Sequence, residues 1–183
     1  MKKLNLLFIL AYTLNVSAIE LPSYEAKYRF ESDEITINGI RKFKKNSDDY
    51  EIEFQASNLF ASMYFSSLFL FEDSKVVPLT YDIKIKPKFL KRDQYIEFDR
   101  VENKIISSGS NIWSVNTDIN HLIMDPLNVQ IMIRTLIKAG NEEFDLKIID
   151  MQKGGYKDYK FQVLGSENCI YNQEEHICIV LER

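Results

Sequence analysis

The sequence predicts a mainly β protein: a single curved antiparallel up-and-down sheet or open barrel, with one amphipathic α-helix at about residues 125–139 packed on it. Three observations predict this. Most of the chain alternates apolar and polar residues with period two, short turn-forming clusters separate the alternating runs, and one segment alone switches to a helical period.

In chain order, the first element is residues 1–18, which read as an export signal. Lys2 and Lys3 give a positive end, Leu4 to Val16 is mostly apolar, and Val16-Ser17-Ala18 has the small-x-small spacing of a cleavage site, placing the cut after Ala18. The apolar run is too short to span a bilayer and contains Asn5, Tyr12, Thr13 and Asn15. No cysteine follows it to accept a lipid. The expectation is a periplasmic protein without a lipid anchor, its mature chain a single β-rich domain of residues 19–183. Losing Lys2 and Lys3 leaves 21 basic against 27 acidic residues, a net charge of −6. That balance argues against nucleic-acid binding, and the mature part has no apolar run long enough for a membrane span.

The strands follow. Residues 24–30 set Tyr24, Ala26, Tyr28 and Phe30 on one face against Glu25, Lys27 and Arg29, the pattern of a half-buried strand. Similar runs occupy residues 34–43, 50–55, 76–85, 94–98 and 104–107, and later 144–149, 156–164 and 176–181. Asn46-Ser47-Asp48-Asp49, Glu72-Asp73-Ser74, Gly109-Ser110-Asn111 and Gly154-Gly155 supply turns between them. Such short connections favour antiparallel pairing of sequence neighbours.

Asp125-Pro126 offers a capping side chain followed by a proline at the first helical position, and Gly140 marks the helix end. Val129, Met132, Ile133, Leu136 and Ile137 form an apolar stripe, with Asn128, Gln130, Arg134, Thr135 and Lys138 opposite. The helix is expected to run about four turns and to cover the concave face or one end of the sheet.

Residues 60–71 are apolar or small in both alternating sets. They read as a strand buried on both faces, with a turn of helix around Leu59 to Met63 also open, and so either as core or as the lining of a pocket for an apolar ligand, with Phe60, Met63, Phe65 and Phe69 as the lining residues.

Cys169 and Cys178 are the only cysteines. A two-residue loop at Gln173-Glu174 would set them opposite one another in a non-hydrogen-bonded pair, where facing side chains come closest. In an oxidising compartment they are expected to form a disulfide, whose closed loop of about ten residues stabilises by roughly 2 to 3 kcal/mol. The competing reading, two metal ligands joined by His176, lacks a fourth ligand and fits no familiar zinc spacing, so no metal site is assigned.

Ser107-Ser108-Gly109-Ser110 lacks the glycine spacing of a nucleophile elbow and reads as a turn. There is no phosphate-cradling glycine loop and no His-Glu-x-x-His pair. His121 and His176 lie far apart in sequence, and the acid pairs Asp48-Asp49, Glu142-Glu143 and Glu174-Glu175 fall in expected turns. No catalytic residue and no cofactor are assigned. The basic run Lys84, Lys86, Lys88, Lys91 and Arg92 reads as the wet face of a strand leading into a turn, or as a surface for anionic headgroups or an acidic partner. Trp113 reads as a core or rim residue.

The order of these pieces resembles a known family. The segment Leu21-Pro22-Ser23-Tyr24-Glu25-Ala26-Lys27-Tyr28, the strand start Pro78-Leu79-Thr80-Tyr81, the helix led by Asp125 and Gly140 all contribute. So do Phe144-Asp145-Leu146-Lys147, the run from Tyr159 to Glu167 and the closing Val180-Leu181-Glu182-Arg183. Together they resemble the exported bacterial domain-of-unknown-function family numbered 3108. The chain departs from that family at Asn38-Gly39, where a glycine-rich strand is usual, and at 169–178, which replaces a Thr-Pro-x-Gly-like turn. The resemblance implies a periplasmic, mostly antiparallel β protein and brings no activity, cofactor or catalytic residue with it.

Two functions are therefore expected to compete. One is a non-catalytic binding module for an apolar, lipid-like ligand held between sheet and helix. The other is a cell-envelope interaction or assembly factor without a ligand cavity, docking a partner through a strand edge or the basic run.

Overall fold

The computed structural model describes residues 21–31, 36–58, 61–87, 92–118 and 122–183. The export signal, the cleavage site, Phe60, His121, Lys88 and Lys91 lie outside the described residues. No helix among the described residues is long and apolar enough to cross a membrane.

Eight consecutive strands form one antiparallel up-and-down sheet: β1 (Tyr24–Glu31), β2 (Thr36–Lys45), β3 (Tyr50–Ser57), β4 (Ala61–Glu72), β5 (Lys75–Pro87), β6 (Arg92–Asp99), β7 (Lys104–Gly109) and β8 (Trp113–Asn116). The sheet is open, with β1 and β8 at its edges. The fold is the mainly β, one-helix architecture expected, with one addition. Residues 123–182 build a second, smaller sheet instead of extending the first. In it β9 (Ile123–Met124) lies parallel to β10 (Glu143–Ile149), and β11 (Tyr156–Tyr171) and β12 (Glu174–Glu182) follow antiparallel. The helix α1 (Val129–Lys138) is the reason for the parallel pair, because it carries the chain from the end of β9 back to the start of β10. Sequence alternation in β10 to β12 could not reveal which edge these strands would join.

The helix is shorter than its periodicity implies. Residues 126–128 form a turn, in which Gln130 and Ile131 donate to carbonyls three residues back, and regular helix begins at Val129. Asp125 still caps the entrance, its Oδ1 accepting the N–H groups of Leu127 at 2.8 Å and Asn128 at 2.9 Å. At the other end Gly140, at φ 84°, donates to the Ile137 carbonyl and Asn141 donates to that of Leu136, the paired bonds of a Schellman stop.

Cross-strand register organises the inner face of the large sheet into rows. One row runs across all eight strands: Tyr24, Phe43, Ile52, Ser67, Tyr81, Ile96, Ser107 and Trp113. From Phe43 to Ser107 every member is buried, and Phe69 on β4 stacks beside Phe43 and Tyr50. Over this row sit α1 and the small sheet, which contribute Met124, Ile131, Met132, Leu146, Ile149 and Phe161 to the same core. The outer face of β4 is polar where it meets β3: Tyr64 donates to Glu53 and Ser66 to Glu51. The segment 61–72 is thus a strand with one buried face. Ser107, the last residue of the expected run 104–107, is buried, and strand β7 runs on through Ser108 and Gly109, which read as a turn in the sequence.

The turn between β11 and β12 is Asn172-Gln173, both in the left-handed region, at φ 51° and 68°. Such a two-residue hairpin turn needs positive φ at both central positions, which Asn adopts readily. It falls one residue earlier than Gln173-Glu174, so Cys169 faces His176 and Cys178 faces Glu167. The two cysteines are therefore diagonal neighbours on one face and are joined as a disulfide, with Cα atoms 5.9 Å apart.

Candidate functional site

One pleat step beyond the core row lies a second inward-facing row: Arg41, Phe54, Phe65, Ile83 and Gln94, contributed by strands β2 to β6 in turn. A third holds Gly39, Ala56, Met63, Ile85 and Arg92. The helix does not extend over these rows. Between them and its first turn remains an open cavity of about 860 Å³, within the range of small-molecule pockets, roughly 300–1,000 Å³. Its floor is Phe54, Phe65, Ile83 and Ile85, with Tyr81 at the boundary to the core. Pro126, Leu127 and Gln130 form one wall, and Met151 and Gln152 of the β10–β11 turn form another.

Each wall is tied to the sheet by polar bonds. Arg41 donates through Nη1 to Gln130 Oε1 at 2.7 Å, and Gln130 in turn donates to the Pro126 carbonyl. On the far side Asn111 donates to the carbonyls of Met151 and Gln152, while Ser107 and Gln94 both donate to the Asn111 carbonyl. Asp150 anchors that same turn, accepting from Gln152 and Lys153 N–H groups and pairing with Lys157 at 2.5 Å. The Lys157 ammonium, with those N–H groups, draws the Asp150 carboxyl down to about 2.

Arg41 is held from several sides. Its guanidinium lies 4.9 Å from the Tyr28 ring centre and 5.9 Å from that of Phe54. Gly39 makes this arrangement possible, because a Cβ there would come within 2.8 Å of Phe54 Cζ. The Nε of Arg41 is buried without a hydrogen-bond partner, and no carboxylate pairs with the guanidinium among the described residues.

Beneath the cavity wall lies a fully buried carboxylate. Asp125 Oδ2 accepts from Ser67 Oγ and Asn128 Nδ2, each at 2.6 Å, and its Oδ1 takes the two backbone N–H groups already named. Burial pushes this carboxyl up to about 7, against the pull of the hydrogen bonds from Ser67, Asn128 and Leu127. Tyr81 is also raised, chiefly by burial and then by the nearby Asp125 charge. With both oxygens occupied and no exposure, Asp125 is a structural tie between β4 and the helix entrance.

Of the lining residues expected from sequence, Phe65 lies on the cavity floor. Met63 borders a separate hollow with Ile40, Gln55 and Tyr64, and Phe69 is wholly buried in the core. Phe60 is outside the described residues. The basic run divides between faces: Lys84 points outward and pairs with Asp82, whereas Arg92 borders the cavity. His176 is on the disulfide-bonded hairpin, its ring 5.9 Å from that of Tyr171. Trp113 is half-buried against the core and is covered by Gly154. No group of three His, Cys, Asp or Glu side chains able to hold a metal occurs among the described residues. Sequence reading missed Arg41, although its signal is present: Ile37, Gly39, Arg41 and Phe43 share a face, and Arg41 is the one charge between Ile37 and Phe43 on it.

Comparison of the chain with protein-family models, with curated proteins and with solved structures finds no match.

Proposed function

We propose that this protein is a non-catalytic periplasmic binding module that shelters an apolar, lipid-like ligand on the inner face of its open sheet. The observation that carries this reading is the cavity of about 860 Å³, floored by Phe54, Phe65, Ile83 and Ile85, which the protein's own helix leaves uncovered. The export signal read in residues 1–18 and the resemblance to the family numbered 3108 support this compartment, and the Cys169–Cys178 bond is compatible with it. Native mass spectrometry of protein taken from the periplasm tests it. The expected species begins at Ile19, has two hydrogens fewer than the reduced chain and carries a co-purifying lipid. Protein that is empty in every preparation overturns the ligand reading.

A second reading, an envelope interaction factor, is favoured by one separate observation. The hairpin of β11 and β12 is solvent-exposed beyond Leu164, and Ile170, Ile177 and Ile179 lie on one of its faces, the first two about 80% and 77% exposed. Photo-crosslinking from Ile177 in cells, if it recovers one specific envelope protein, supports docking through this arm.

A further inference from the structure

Among the described residues, the charged side chains bordering the cavity are of one sign. Arg41 and Arg92 line it and no described carboxylate does, although acidic residues outnumber basic ones in the chain, 27 to 23. The two are not equivalent. Arg92 is exposed, whereas Arg41 is half-buried, set against the Tyr28 and Phe54 rings, which meet edge to face, and fixed by Gln130. A guanidinium taken partly out of water with no carboxylate partner among the described residues is in an unfavourable state, and an anion in the cavity it lines relieves it with charge-assisted hydrogen bonds. From Arg41 the floor continues along one row through Phe54, Phe65 and Ile83, an apolar track leading away from the charge.

We propose that the cavity binds a single-chain amphiphile with a carboxylate head, a long-chain fatty acid, its head on Arg41 and its chain along Phe54, Phe65 and Ile83. This rests on the apolar-ligand reading above and adds to it the head group and its anchor. The sequence of the anchor is itself preorganising: Gly39 leaves room for the Phe54 ring, Phe54 and Tyr28 both lie against the guanidinium, and Gln130 binds it at the helix wall.

The test is a binding series on the mature, disulfide-intact protein after lipid extraction, with palmitate, hexadecan-1-ol, hexadecyl phosphate and hexadecyltrimethylammonium as probes of equal chain length. Palmitate is expected to bind about tenfold or more tightly than the alcohol, and the cation more weakly than either. Arg41→Gln is expected to remove that advantage while leaving alcohol binding within about twofold, and Arg41→Lys to restore part of it. Equal affinity for palmitate and the alcohol overturns the head-group proposal and leaves the apolar-ligand reading standing. Failure of all four probes overturns both. A preference for the phosphate over palmitate replaces the carboxylate, and a palmitate preference lost in Arg92→Gln but kept in Arg41→Gln overturns the anchor. The comparison of probes on the unaltered protein decides the proposal even if an Arg41 variant fails to fold.

Discussion

Two neighbouring rows of the same sheet face, one pleat step apart, end in different environments. Phe43, Ile52, Ser67, Tyr81, Ile96 and Ser107 are buried under α1 and the small sheet, whereas Arg41, Phe54, Phe65 and Gln94 face an open cavity. Both rows alternate correctly and both carry large apolar side chains. The difference lies in what covers them: the helix entrance is pinned at Asp125 over Ser67, and its ten residues run over the core row and not the next. A sheet row becomes core or ligand floor according to where one buried hydrogen-bonded tie sets the lid.

The largest effect should come from removing a ring on each side of that boundary. Phe69→Ala, in the stacked core with Phe43 and Tyr50, should cost about 4 kcal/mol in urea unfolding. Phe65→Ala, on the cavity floor, should cost only about 1 kcal/mol. Equal losses would mean that the cavity collapses in solution and that the two rows are one core.

Cutting the tie comes next. Asp125→Ala leaves the Ser67 and Asn128 side chains and two backbone N–H groups without their acceptor, and should cost about 3 kcal/mol. Hydrogen exchange should show the loss concentrated at residues 125–131 and around Ser67 rather than in β1 or β8.

The same carboxyl makes stability pH-dependent. Because its folded value is raised from 3.8 to about 7, the folded state holds the proton more tightly than the unfolded state. Its contribution is therefore fully present below about pH 4 and is lost as pH rises through about 7. The melting-temperature difference between the native protein and Asp125→Asn should change across that window and be flat above it. A difference independent of pH from 4 to 8 would falsify the assignment.

Gly39→Ala probes the cavity side alone. The added methyl must displace the Phe54 ring, at about 1 kcal/mol of stability, and should weaken palmitate binding more than it weakens the fold.

Much of the scaffold was legible in the sequence, because period-two alternation and turn residues are local signals. Tyr24 to Phe30, Val76 to Ile85 and the stripe from Val129 to Ile137 announce their elements directly. The parallel β9–β10 pair was not legible, since it spans only Ile123 and Met124 and depends on the path of the helix between them. The site was less legible still. Residues 61–71 are rich in Phe, yet Phe65 and Phe69, four residues apart on one face, end in cavity and core respectively. Only the register with β3 and β5 and the position of α1 separates them, and both are long-range properties. The charge that punctuates the buried phase of β2, Arg41, was the readable clue.

The disulfide spans the Asn172-Gln173 turn at the tip of an exposed hairpin. A protease that nicks this turn would leave the two strands covalently joined by Cys169 and Cys178. The nicked protein would migrate whole on a non-reducing gel and release a short carboxy-terminal peptide only when reduced. The bond thus gives the arm tolerance to cleavage, keeping its last strand attached after the backbone has been cut.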